Sequence, residues 1–179
     1  QVKQDNGKVV FYNTADLNKV GEVMVGALPD MVTFTRDGKV LLVANEGEPS
    51  DDYTIDPEGT ISIIDVSGGA LTASVTSVGF NGYDTKKASL QNKGIRIFGN
   101  SGAATVSEDL EPEFITVLED GSKAYVNCQE NNALVVLDLS NNSILDILPL
   151  GYKNHLLGTP SVTPYVLNEI VANWPELGI

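Results

Sequence analysis

The sequence predicts an all-β fold: a β-propeller of four-stranded antiparallel blades, of which this chain forms an incomplete sector of about three to four blades. Three observations predict it. A long segment recurs at a constant offset of 83 residues, Asp-Gly pairs separate alternating apolar segments, and polar turns divide the chain into short β-rich stretches. These features are typical of a repeated antiparallel sheet.

The repeat relates residues 29–43 (PDMVTFTRDGKVLLV) to residues 112–126 (PEFITVLEDGSKAYV). In both copies an alternating stretch meets Asp-Gly and then a second β-rich stretch, which predicts a hairpin whose turn requires positive φ. A third strand follows each copy, at 60–66 (TISIIDV) and 133–139 (ALVVLDL), and a fourth is predicted at 144–150 after a polar turn. Four such strands describe one propeller blade of roughly 40 residues.

Because an offset of 83 residues spans about two blades, a degenerate blade is predicted between the two clear copies. Its strands would come from 75–80 and 94–98, with a short polar helix or excursion at 83–92. The predicted division is the end of one blade at 1–28, a blade at 29–66 with an acidic insertion at 44–59, the degenerate blade at 67–106, a blade at 107–150, and a linker with a short helix at 151–179. About three and a half blades do not ordinarily close a ring, so the chain is interpreted as a sector of a larger propeller.

Acidic residues dominate the charge of the chain. There are 24 Asp and Glu residues against 11 Lys and Arg, which gives a formal net charge of −13. Such a field repels nucleic-acid phosphates and anionic lipid surfaces, whereas divalent cations or a basic partner fit it. No stretch is long and apolar enough to predict a membrane span. The single cysteine, Cys128, excludes an internal disulfide.

The most unusual segment is the acidic insertion at 44–59 (ANEGEPSDDYTIDPEG), where the second copy has only a short connection. Hard cations such as Ca2+ take about six to eight oxygen ligands, which carboxylates and loop carbonyls supply. The spacing does not match an EF-hand, so a Ca2+-binding loop and a solvated acidic loop both remain open. The candidate metal ligands are Glu46, Glu48, Asp51, Asp52, Asp56 and Glu58.

Three further acidic residues are candidates for the mouth of a central channel. In propellers the first strand of each blade lines that channel, so Asp30 and Glu113, at the starts of the repeated strands, would face its mouth. There they would converge with Glu46 and Glu130 on one ion or polar ligand. Alternatively, Pro-Asp and Pro-Glu are turn chemistry where a strand begins.

Catalytic patterns are sparse in the sequence. His155, the single histidine, has no spacing typical of a metal ligand or general base. No nucleophile elbow, phosphate-binding glycine loop, zinc spacing or Cys–His pair occurs. Cys128 lies near a strand end, where a small buried hydrophobic role is more typical than a nucleophilic one. The residues favour a non-enzymatic role without deciding it.

Two segments resemble the choice-of-anchor I family: GALPDMVTFTRDGKVLLVANEGEPSDDYTIDPEGTISIIDV and DLEPEFITVLEDGSKAYVNCQENNALVVLDL. That family includes mesenchyme-specific cell surface glycoproteins and bacterial secreted proteins labelled alkaline phosphatase-like. The resemblance runs from about Val9 to about Lys153 and implies an extracellular or surface-anchored β-propeller. One departure lies at 157–172, where apolar and small residues replace an Asp-rich segment of similar proteins.

Three functions follow as hypotheses. The leading one is an extracellular binding, adhesion or structural matrix module that binds Ca2+ through its acidic loop. The second is a Ca2+-dependent phosphoesterase similar to alkaline phosphatases or phytases, although no basic residue that would grip phosphate occurs between Lys39 and Lys86. The third is a repeat subunit of an extracellular filament or layer, whose open blade edges pair with neighbouring chains.

Overall fold

The computed structural model describes residues 2–153 and 177–178. Within these residues the fold is all-β, with antiparallel sheets and short helical segments that lie mostly in one connection. In this part of the chain, the helices are too short to cross a membrane. The short helix predicted in the linker at 151–179, with Thr163 as its cap and Tyr165 to Asn173 as its body, lies outside the described residues.

Antiparallel strands in sequential order form three main sheets. The first sheet pairs β1 (Asn6–Tyr12) with β2 (Lys19–Ala27). The second sheet contains β3 (Pro29–Phe34), β4 (Val40–Asn45), β5 (Thr60–Asp65) and β6 (Ser74–Gly79). The third contains β7 (Phe114–Val117), β8 (Lys123–Cys128), β9 (Ala133–Asp138) and β10 (Ser143–Pro149). A short separate pair joins β11 (Tyr152–Lys153) to β12 (Leu177–Gly178).

The connection between the second and third sheets carries most of the helical structure. It contains α1 (Lys87–Asn92) and α2 (Val106–Asp109), with 3-10 turns at Asn81–Lys86 and Asn100–Gly102, while a further 3-10 turn, Ala70–Thr72, links β5 to β6. A capping box starts α2: the Thr105 hydroxyl accepts a hydrogen bond from the Glu108 amide, and the Glu108 carboxylate accepts one from the Thr105 amide. The 3-10 turn at Asn81–Lys86 and helix α1 confirm the short polar helix predicted at 83–92.

The degenerate blade predicted at 67–106 does not form in the structure. Residues 74–79 pair with β5 along its whole length, from Thr60 opposite Gly79 to Asp65 opposite Ser74, and so complete the second sheet. Residues 95–98 have no strand partner. Ile95 and Ile97 are buried while Arg96 and Phe98 are exposed, so the alternation that predicted a strand arises from a non-strand segment with one face in the core. The offset of 83 residues between the repeated segments therefore corresponds to one four-stranded sheet plus a helical connection.

Apolar side chains on both faces of the second sheet hold the sheets together. Strand β4 alternates: Leu41 and Val43 pack in a core with Val25 of the first sheet, and Leu42 packs on the other side in a core with Val126 of the third sheet. The larger core, between the second and third sheets, also contains buried side chains of the helical connection: Phe80, Leu90, Ile95, Ile97, Val106 and Leu110. The three sheets therefore lie face to face in chain order.

Both predicted Asp-Gly turns adopt the expected conformation. Gly38 and Gly121 have φ angles of 69° and 70°, and a Cβ atom at either would meet no other heavy atom within 4 Å. The preceding aspartates bind the turn, since Asp37 accepts a hydrogen bond from the Lys39 amide and Asp120 accepts one from the Ser122 amide. Backbone conformation, and not space, requires glycine at both positions.

Gly38→Ala should lower the free energy of unfolding by about 1 kcal/mol, because alanine is strained at positive φ even in open space. Urea unfolding followed by circular dichroism measures the change. Gly82→Ala is the matched control, since Gly82 also faces open space but lies in a 3-10 turn without positive φ. Equal effects of the two substitutions would contradict the assignment of the turn.

Candidate functional site: an acidic cleft

Two acidic clefts lie where strands of the second and third sheets begin and end. Glu46 directly follows β4, Glu130 lies in the turn after β8, and Glu111 and Glu113 precede β7. Because the two sheets stack face to face and have the same strand order, these residues lie at one edge of the stack, where the strands begin and end. The clefts thus join segments far apart in sequence.

The larger acidic group lines a cleft of about 250 Å³, called here the acidic cleft. Its lining residues are Glu46, Glu48, Pro49, Tyr53, Phe98, Asp109, Glu111, Glu130 and Asn131. A neighbouring cleft of about 550 Å³ is lined by Asp30, Glu113, Phe114, Asn127 and Gln129. The two clefts are electrostatically connected, because Asp30 contributes to the raised pKa of Glu46 and Glu130 to that of Glu113.

Burial and mutual repulsion raise the pKa values of three glutamates at this edge. Burial raises the pKa of Glu111 to about 8, with further contributions from Glu130 and Glu46. Burial raises the pKa of Glu46 to about 7, helped by the charge of Glu48. The pKa of Glu113 rises to about 7, first through burial and then through its hydrogen bond with Glu130. A proton, or any other positive charge, placed between these acids lowers their electrostatic energy.

Lys3 offsets part of this crowding at Glu46 and Glu48. Its Nζ atom lies 2.7 Å from the Glu48 carboxylate, and its charge acts against the rise in the Glu46 pKa. The hydrogen bond to Glu48 raises the pKa of Lys3 in return. The pair is substantially exposed, so water screens it and it neutralises the cleft incompletely.

A hydrogen-bond network around Asn131 fixes the inner wall of the cleft. The buried Asn131 side chain donates to the carbonyl oxygens of Arg96 and Asp109, and its Oδ1 atom accepts a hydrogen bond of 3.0 Å from the Glu111 amide. The Asp109 carboxylate in turn accepts hydrogen bonds from the amides of Phe98 and Gly99. The backbone that carries Glu111 is therefore anchored to the core.

Cys128 lies beneath the acidic residues at the end of β8. It is fully buried, and burial raises the pKa of its thiol, with additional contributions from Glu113, Glu111 and Glu130. The thiol is consequently held in its protonated form at neutral pH.

The acidic insertion does not gather its six predicted ligands into one group. Glu46 and Glu48 line the acidic cleft, and Asp51 is an exposed neighbour whose charge reaches Lys3. Asp52 instead accepts hydrogen bonds from Ser50 and Thr54 within its own turn.

The other two insertion residues face other parts of the chain. Burial raises the pKa of Asp56 to about 6, with further contributions from the charges of Glu108 and Asp109, and its Oδ1 atom is buried without a hydrogen-bond partner. Glu58 accepts a hydrogen bond of 2.6 Å from Asn81. As the side chains stand, no group of three or more His, Cys, Asp or Glu residues in the described part is arranged to hold a metal ion.

A family model for the choice-of-anchor I domain matches residues 1–164. The chain belongs to this family. No curated protein matches the domain. Among solved structures it is similar to Kuenenia stuttgartiensis hydrazine synthase, with a TM-score of 0.54 and 12% sequence identity, over 97% of this chain. The domain spans 52% of that chain, and at this identity the likeness concerns the fold alone.

Asp109 and Glu111 of the choice-of-anchor I domain carry no sequence pattern that marks them as candidate ligands. Both lie in the helical connection, outside the insertion, and nothing in their spacing places them against Glu46. The available signal was their position directly before the repeated β7 strand, in the acidic stretch EDLEPE. That signal identifies a strand start but not the neighbour that packs over it.

Stability of the domain should fall between pH 5 and pH 8. The raised pKa values of Glu46, Glu111 and Glu113, about 7 to 8 against 4.5 ordinarily, mean that the folded state holds protons that the unfolded state has lost. This contribution is complete below about pH 4.5 and disappears as pH rises through 7 to 8. We expect a loss of about 1–2 kcal/mol, since water screens these partly exposed groups.

Urea unfolding at intervals from pH 5 to pH 8 measures this slope. Glu111→Gln should flatten it, whereas Asp52→Asn should leave it unchanged, because hydrogen bonds lower the pKa of Asp52 and place its titration below this range. A stability that is constant or rising across the range in the unsubstituted protein would contradict the crowding of the three glutamates.

Proposed function

We propose that this choice-of-anchor I domain is a sector of an extracellular β-propeller that binds Ca2+ at its acidic cleft and acts as a surface-attached binding or structural module. The observation that carries the proposal is the crowding of carboxylates from three separate segments at one edge of two stacked sheets. Folding keeps these groups together at an electrostatic cost, and a bound cation would remove that cost.

The propeller part of the proposal is supported by the stacking order. A two-stranded sheet and two four-stranded sheets follow one another face to face, and each four-stranded sheet has sequential antiparallel order. Successive blades of a propeller are related in this way. The family resemblance found in the sequence favours the same architecture.

Oxygen chemistry favours Ca2+ over transition metals at this edge. The cleft is lined by the carboxylates of Glu46, Glu48, Glu111 and Glu130, with the amide of Asn131 in its wall. Carboxylates and carbonyl oxygens suit Ca2+, which accepts flexible geometry and about six to eight ligands, whereas imidazole and thiolate ligands suit zinc and copper. Binding requires rotation of the glutamate side chains towards a common point and competition with Lys3 for Glu48.

A surface location is supported by the family and by charge. The choice-of-anchor description indicates proteins attached to a surface, and a net charge of −13 keeps an exposed domain soluble and repels nucleic acids. A binding or structural role agrees with the absence of any familiar catalytic motif from the sequence. Within this proposal, bound Ca2+ stiffens the acidic loop and connects it to the third sheet.

Calcium should bind to the domain and raise its thermal midpoint, and Glu46→Gln or Glu130→Gln should weaken binding at least tenfold. The physical reason is that each substitution removes a charged oxygen ligand from the cleft. Isothermal titration calorimetry at pH 9, above the raised pKa values of Glu46, Glu111 and Glu113, gives the affinity, and thermal unfolding with and without chelator gives the stabilisation.

Asp51→Asn is the matched control, since it removes the same charge from the same loop outside the cleft and should reduce affinity by no more than about twofold. Absence of both heat and stabilisation would reject the calcium proposal. Equal losses for Asp51→Asn and Glu46→Gln would place binding in the loop as a diffuse charge effect and reject the cleft.

A further inference from the structure

Strand β6 forms the outer edge of the second sheet and lacks the features that usually protect such an edge. Its sequence, Ser74–Gly79, contains no charged residue and no proline, and it pairs with β5 in an unbroken register. The first four residues of the strand are exposed. Among the described residues, no hydrogen bond reaches the backbone groups of β6 that point away from β5. A regular, exposed edge of this kind can accept a further strand.

The equivalent edge of the third sheet is protected. Strand β10 occupies the same outer position, but its register with β9 is interrupted between Ile144 and Asp146. It also carries the charge of Asp146 and ends in Pro149, which has no amide hydrogen to donate. Bulges, charges and prolines are common devices that prevent pairing at an edge. The two sheets share their strand order, so the difference identifies β6 as the edge that can pair.

A cleft of about 390 Å³ lies beside β6, between the first and second sheets. Its wall on the second sheet carries the hydroxyl groups of Thr60, Ser62 and Ser77. Strand register places these residues on one face, since Ser62 lies opposite Ser77 and Thr60 precedes Ser62 by two positions. Met24 of the first sheet and Val75 of β6 add apolar surface. The cleft therefore has a polar part and an apolar part.

The internal repeat shows that these hydroxyl groups replace apolar core positions. Each of Thr60, Ser62 and Ser77 has a buried counterpart at the same place in the strand register of the third sheet. Those counterparts are Ala133, Val135 and Ile147. The third sheet uses these positions for packing against its neighbour, whereas the second sheet keeps hydrogen-bonding groups there.

The buried side chain of Asn45 holds two of the hydroxyl groups in place. Its amide donates hydrogen bonds of 3.1 Å to Thr60 Oγ1 and 2.9 Å to Ser62 Oγ. Each hydroxyl oxygen has a second lone pair, so both can also accept a hydrogen bond from a ligand. The Oδ1 atom of Asn45 is buried and has no hydrogen-bond partner in the described part of the chain. The group thus favours a ligand that donates hydrogen bonds.

Glu58 gives the cleft its negative charge. It is the one charged residue among the described residues that line the cleft, and Asn81, just beyond the end of β6, donates a hydrogen bond of 2.6 Å to its carboxylate. The net charge of −13 also attracts basic segments and repels acidic ones. A lysine side chain matches both parts of the cleft, because its stem is aliphatic and its ammonium group has three donors.

We propose that β6 binds an extended, lysine-containing segment of another protein as a fifth strand of the second sheet, with the lysine side chain in the cleft. Backbone hydrogen bonds to β6 supply general affinity, and the cleft supplies selectivity for the side chain. Residues of the added strand that lie opposite Val75 and Ser77 share the face on which the cleft opens. This inference does not depend on the calcium site.

The test uses a capped, fluorescently labelled peptide of sequence Thr-Val-Thr-Lys-Thr-Val-Thr, whose binding to the full chain is followed by fluorescence anisotropy at physiological salt. A second peptide has norleucine in place of lysine, which keeps the stem and removes the ammonium group. A third has N-methyl groups on alternate residues, which removes backbone donors. The lysine peptide should bind about tenfold more tightly than either of the others. Unlabelled n-butylammonium serves as a competitor that cannot add a strand.

Two variants separate the edge from the cleft. Val75→Lys should weaken binding of the lysine peptide about tenfold, because it places a like charge at the cleft and on the edge. Glu58→Gln should remove the preference for lysine over norleucine and leave the affinity for the norleucine peptide unchanged. Leu145→Lys is the matched control, since Leu145 is 49% exposed on β10, and this variant should bind like the parent chain. Circular dichroism confirms that every variant is folded.

Four results would overturn the proposal. Equal binding of the N-methylated peptide would show that no strand is added, and n-butylammonium that binds as tightly as the lysine peptide would reduce the cleft to a site for small amines. Equal losses for Val75→Lys and Leu145→Lys would assign binding to net charge. Self-association of the parent chain that Val75→Lys abolishes, without binding of the peptide, would assign the edge to a second copy.

Discussion

Burial of apolar side chains on both faces of the second sheet is the constraint on which the rest of the structure depends. Strand β4 sends alternate residues into two different cores, which a sheet can do only when a packed layer covers each face. The first and third sheets are therefore held in place by one central sheet. Because the two four-stranded sheets share their strand order, their loops emerge at common edges.

This rigid stacking explains how the domain keeps carboxylates close together. Glu46 and Glu130 are attached to the ends of strands whose centres are buried, and the Asn131 network fixes the backbone at Glu111. Side chains can rotate, but the backbone positions cannot separate without disturbing the core. Hydrophobic packing thus maintains an electrostatically unfavourable arrangement, which is typical of sites that bind a ligand of opposite charge.

Local patterns predicted the sheets well, because the information lies within a few residues. The Asp-Gly pairs required positive φ at Gly38 and Gly121, and the alternation around them identified both hairpins and the edge where Glu46 and Glu130 emerge. The same rule failed at residues 94–98, where Ile95 and Ile97 alternate as in a strand but enter the core from a segment without a partner. Periodicity reports which side chains are buried and does not report hydrogen-bonded pairing.

The arrangement of the site was less predictable, because it depends on packing between segments distant in sequence. The composition of the insertion identified Glu46 and Glu48, but no local pattern separated them from Asp52, which serves its own turn. Glu111 entered the cleft through the helical connection, whose path follows from the burial of Phe80, Leu90 and Leu110. Tertiary structure decides which acids become neighbours.

Cys128 gives this arrangement a consequence for redox chemistry. Oxidation and disulfide exchange require a thiolate that reagents can reach, and here the sulfur is sealed within the core under a negative field that opposes its ionisation. The unpaired cysteine is thereby protected from peroxide, from alkylating agents and from cross-linking to other chains. Such a domain tolerates an oxidising medium without needing a disulfide partner.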